Sequence, residues 1–83
     1  MKIKNLGSID EVSFSAKEIA LFNSSFPCSD IPEGECFFQF EKKTGDLVDI
    51  SEHLRGVENN SAISALCDEA KSFLKKELAT LAN

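Results

Sequence analysis

The chain has 83 residues, 42% hydrophobic and 28% charged, with a formal net charge of −5, seven Phe, and neither Trp nor Tyr. That length gives one domain over residues 1–83 whose core buries roughly 60–65% of the unfolded surface. The N-terminus lacks the apolar run of a secretory signal, no stretch nears the ~20 apolar residues of a membrane span, and the scattered Lys and Arg form no phosphate-binding patch. The expectation is a cytoplasmic protein with no membrane association and no direct nucleic-acid binding.

In chain order, the alternation around Ile3 allows a short N-terminal strand over residues 2–6, which Leu6-Gly7-Ser8 then interrupts. Val12 and Phe14 alternate with Ser13 and Ser15, a pattern that allows a second short extended segment, although their expected role is to lead into a helix. Ser15 followed three residues later by Glu18 is a capping box, and Phe14 with Ile19 stands where a hydrophobic staple closes. Ile19, Phe22 and Phe26 recur at spacings of three and four, which predicts a helix over about 16–24 that Pro27 ends. Pro27, Asp30, Pro32 and Gly34 mark a connection.

Residues 36–42 and 46–51 flank Lys43-Thr44-Gly45 and predict a β-hairpin with a three-residue loop and Gly45 in the left-handed position. That register pairs Phe40 with Val48, Phe38 with Ile50 and Gln39 with Asp49. It sends Phe38, Phe40, Val48 and Ile50 to the core, and leaves Phe37 and Leu47 on the outer face among carboxylates, where either the N-terminal strand or the loop at 52–60 covers them or a partner does. Ile63, Leu66, Cys67, Ala70, Phe73, Leu74, Leu78 and Leu81 then follow one helical stripe, predicting a helix over about 61–81 capped by Asn60 or Ser61. Asp68 and Glu69 lie toward its start and Lys71, Lys75 and Lys76 toward its end, an order that suits the helix dipole. The expected fold is therefore α+β: a small antiparallel sheet, the hairpin with room for a third N-terminal strand, packed on two helices.

Chemistry-bearing patterns are sparse. Cys28, Cys36 and Cys67 lack the close spacing of a zinc site, and Cys36 and Cys67 fall at apolar positions as reduced core thiols. Export would instead allow a Cys28–Cys36 disulfide. His53, the single histidine, has no nucleophile or orienting group placed beside it by spacing, and the carboxylates show neither a calcium-loop pattern nor a forced acid–base pair. No glycine-rich phosphate loop is present. Neither a catalytic residue, a metal site nor a cofactor is expected.

Charge is the informative feature. Residues 30–58 hold eight carboxylates against Lys42, Lys43 and Arg55, while both flanks are neutral. Acids interleaved with phenylalanines on a folded hairpin suit a non-enzymatic binding module, an adaptor or inhibitor that engages a basic protein surface. The candidate contacts are Phe37 and Leu47 with Glu41, Asp46, Asp49 and Glu52 as the charged rim. The alternative is a structural or assembly role, in which the hairpin edge or the C-terminal helix forms a homodimer.

Overall fold

The computed structural model describes residues 1–57 and 59–81, with Glu58 and the side chain of Leu81 outside the described residues. Strands β1 (Lys2–Asn5) and β2 (Ile9–Phe14) precede helix α1 (Ala16–Ser25). Strands β3 (Cys36–Glu41) and β4 (Leu47–Ile50), a short 3-10 turn at Glu52–Leu54 and helix α2 (Ser61–Leu81) follow. The four strands form one antiparallel sheet in the order β1-β2-β3-β4, with α1 inserted between the two central strands.

The α+β expectation is met, with one strand more than anticipated. Leu6-Gly7-Ser8 does not interrupt a strand; Gly7 and Ser8 turn it. The Leu6 N–H donates to the Ile9 carbonyl at 2.8 Å, Gly7 takes φ +82°, and its N–H donates to Asn5 Oδ1 at 2.9 Å. A two-residue loop with glycine first matches the right-handed twist of the strands it joins. Val12 and Phe14 therefore belong to a central strand, where they pair with Phe38 and Cys36.

Helix α1 starts as its sequence requires. Ser15 Oγ accepts from the Glu18 N–H at 3.2 Å and Glu18 Oε1 accepts from the Ser15 N–H at 2.9 Å. Glu18 also meets the N-terminal ammonium of Met1. The hydrogen bond from that ammonium, then the one from the Ser15 N–H, hold the Glu18 carboxyl below its ordinary value. Beyond α1, Asn23 braces the connection: its Nδ2 donates to the Ile31 carbonyl at 2.7 Å and its Oδ1 accepts from the Ile31 N–H at 3.2 Å. Asn60 caps α2, its Oδ1 accepting from the Ala62 N–H at 2.9 Å.

One face of the sheet carries the core. Val12, Phe14, Phe38, Phe40 and Ile50 are buried there against Ile19 of α1 and Ala62, Ile63, Leu66, Ala70 and Leu74 of α2. Phe14 and Phe38 meet edge to face at 5.9 Å. Asp10 is buried at the end of this face, where Lys42 Nζ lies 3.5 Å from its Oδ1 and also donates to Asn5 Oδ1 at 2.9 Å. That pair ties the β1–β2 turn to the β3–β4 hairpin.

The hairpin departs from the expected register near its turn. Phe38 faces Ile50 and Gln39 faces Asp49 as anticipated, but Phe40 faces Leu47 rather than Val48. The loop holds four residues, Lys42 to Gly45: the Glu41 N–H donates to the Asp46 carbonyl at 2.9 Å and the Gly45 N–H to the Glu41 carbonyl at 2.8 Å. Gly45 takes the left-handed φ of +75° that was expected of it. Val48 is the extra residue of a bulge, 46% exposed, whereas Leu47 packs against the core. The exchange places the larger side chain inside, worth about 0.8 kcal/mol for each additional buried methylene.

Candidate protein-binding face

Both helices cover the same side of the sheet, so strand alternation leaves the opposite side without a helix. Its residues, by register, are Lys2 and Lys4 on β1, Ile9, Glu11 and Ser13 on β2, Phe37, Gln39 and Glu41 on β3, and Asp49 on β4. Ile9, Glu11, Ser13, Phe37, Gln39, Glu41 and Asp49 are all half-buried.

Several of these groups are already engaged. Gln39 Nε2 donates to Glu11 Oε1 at 2.8 Å, fixing one carboxylate oxygen across β2 and β3. Arg55 Nη2 lies 3.2 Å and 3.3 Å from the two Asp49 oxygens, and the Ile50 N–H donates to Asp49 Oδ1 at 2.8 Å. Asp49 therefore offers less net charge than an unpaired carboxylate. At the β1 edge Lys4 stands opposite Glu11 and Lys2 opposite Ser13. The face runs from cationic at that edge to acidic at the end of β3 that carries Phe37.

At that end Glu11, Glu35, Phe37, Ser51, Glu52 and His53 surround an open concavity of about 430 Å³ that no Lys or Arg among the described residues lines. Three segments bring the carboxylates together: β2, the connection into β3, and the 3-10 turn. Ser51 fixes the backbone of Phe37 from both sides, its Oγ accepting from the Phe37 N–H at 2.7 Å and its N–H donating to the Phe37 carbonyl at 3.1 Å. The ring is thus presented from a rigid strand rather than from a loop.

Of the anticipated contacts, Phe37 and Glu52 meet at this concavity. Glu41 shares the open face but lies four residues along β3, about 13 Å away at 3.3 Å per residue. Asp46 is exposed at the end of the hairpin loop, and Asp49 is on the face but paired with Arg55. Leu47 is a correction: the bulge turns it to the core, so it is no part of this face. Glu11, Glu35 and His53 were not anticipated. Glu11 could be placed beside Phe37 only once β2 was known to pair with β3.

Cys36 also borders the concavity, but its thiol belongs to the core. Burial, followed by the nearby charge of Glu18, pushes it up to about 12, which disfavours the thiolate. Burial also raises the Cys67 thiol, and all three cysteines are free. His53 makes no hydrogen bond to Cys36, Ser13 or Ser51 among the described residues. No helix among those residues is long and apolar enough to cross a membrane. Comparison of the chain with protein-family models, curated proteins and solved structures found no match.

Proposed function

We propose that the protein is a non-enzymatic binding module, an adaptor or inhibitor, that engages a basic protein surface through the helix-free face of its sheet. The observation that carries this reading is the Phe37 concavity, where three carboxylates from separate segments surround a half-buried aromatic residue and no Lys or Arg among the described residues lines the wall. Carboxylates so placed accelerate encounter with a positively charged surface. A fixed aromatic ring supplies apolar area and a face on which an Arg or Lys side chain can rest.

The test starts with the native protein as bait and the protein it retains. That protein should be basic, and its association rate should fall with salt more than its dissociation rate rises. Phe37→Ala, and separately Glu35→Lys with Glu52→Lys, should each weaken binding at least about tenfold, within the range of an interface anchor. Asp46→Lys, at the far end of the hairpin, should have a smaller effect. Equal binding by native protein, Phe37→Ala and the charge reversals would rule out this face.

A further inference from the structure

On the side of the molecule away from that face, one flank of α2 forms a shallow apolar groove. Met1, Ala65, Glu69, Ser72, Phe73 and Lys76 line a volume of about 460 Å³. Residues 65, 69, 72 and 76 succeed one another at spacings of four, three and four, the geometry of a straight seam along a helix. Small side chains alternate along it with one negative and one positive charge. Asp68, beside Glu69, adds a second carboxylate to the same end.

The order of charge has the sense that the helix dipole favours, but its position along α2 puts these residues outside the dipole's reach. α2 begins at Ser61 and ends at Leu81, with no acidic residue in its first turn and no basic residue in its last. The dipole acts chiefly within those turns. Nor are the charges used internally: none of the acidic or basic side chains of α2 forms an ion pair among the described residues. Lys75, Lys76, Glu77, Leu78 and Thr80 are exposed, so this end of the helix is accessible to solvent.

A surface with opposite charges at its two ends is complementary to itself when turned end for end. We propose that the occupant of this groove is a second copy of the chain, with α2 packed antiparallel to α2 about a two-fold axis beside Ser72 and Phe73. Glu69 of each copy then faces Lys76 of the other, so one patch supplies two ion pairs. Phe73 of each copy lies against the small Ser72 of the other, and Ala65 against Thr80. The helix-free sheet face is left open in such a dimer. Each dimer presents two acidic concavities, which raises the avidity for a partner with two basic sites.

Sedimentation equilibrium tests the proposal. The native protein should shift with concentration from its 9.1 kDa mass toward twice that value. Glu69→Lys alone and Lys76→Glu alone set like charges against each other at both contacts, and each should weaken self-association at least about tenfold. Mixing the two variants restores opposite charges at both contacts, so the mixture should form a heterodimer about as readily as the native protein pairs with itself. Both positions are exposed, and formation of the heterodimer would itself show that the variants fold. The proposal is overturned by a native protein that stays monomeric at the highest soluble concentration. It is equally overturned by single reversals that dimerise normally, or by a mixture that fails to associate. Each readout is independent of binding at the Phe37 concavity.

Discussion

Replacing Leu47 and Val48 by alanine, one at a time, tests the bulge that decides which of them is inside. A fully buried Leu→Ala change costs about 2–5 kcal/mol. Leu47 is half-buried against the core, so roughly half the lower part of that range applies, ~1–2 kcal/mol. Val48 is 46% exposed and has the character of a surface position, for which changes of about 0.5 kcal/mol or less are usual. An uninterrupted register that paired Phe40 with Val48 would reverse the order. Urea unfolding of the two variants beside the native chain reads the difference directly as a change in midpoint at constant slope. With total stability on the order of 4–12 kcal/mol for a chain of this size, a loss of ~1–2 kcal/mol is well resolved. If Val48→Ala costs as much as Leu47→Ala or more, the bulge assignment is wrong, and Leu47 returns to the outer face beside Phe37.

Three further outcomes follow from the local chemistry. The Glu18 carboxyl lies below its ordinary value of 4.5 in the folded protein, so its contribution is present above about that pH and is lost as pH falls through the lower folded value. Glu18→Gln should therefore narrow the stability gap to the native chain as acid is added, whereas a gap independent of pH would exclude the ionic role. Lys42→Ala leaves the buried Asp10 carboxylate without its cation and should cost ~1–3 kcal/mol in urea unfolding. An effect as small as that of Lys43→Ala would show that the pair is not structurally important. In thiol labelling of the native protein, exposed Cys28 should be modified first, and Cys36 only as the chain unfolds; equal rates at the two would contradict the burial that pushes the Cys36 thiol up to about 12.

The parts of this protein that were legible in its sequence rest on local interactions. The capping box at Ser15 and Glu18 appears atom for atom, because both hydrogen bonds close within one helical turn. The α2 stripe was also clear, since a 3.6-residue period needs no partner to be recognised. Gly45 was correctly given a left-handed backbone, although the loop it closes holds one more residue than expected. The Gly7-Ser8 turn carried a hairpin signal of its own, but two short strands rich in polar residues made it look like an interruption.

What only tertiary structure decided is which strands lie side by side and which faces remain open. The sequence by itself determined an α+β chain with a helix after Ser15, a hairpin around Gly45, a long C-terminal helix and an acidic middle third. It did not determine that β2 pairs with β3, because strand pairing across an inserted helix depends on contacts distant in sequence. That pairing brings Glu11, from a flank of neutral net charge, next to Phe37 and completes the concavity with Glu35 and Glu52. Nor could it locate the bulge, where a one-residue shift exchanges inside for outside and removes Leu47 from the candidate site. Acidity was visible as composition, but its concentration around one fixed aromatic ring is a property of the folded sheet.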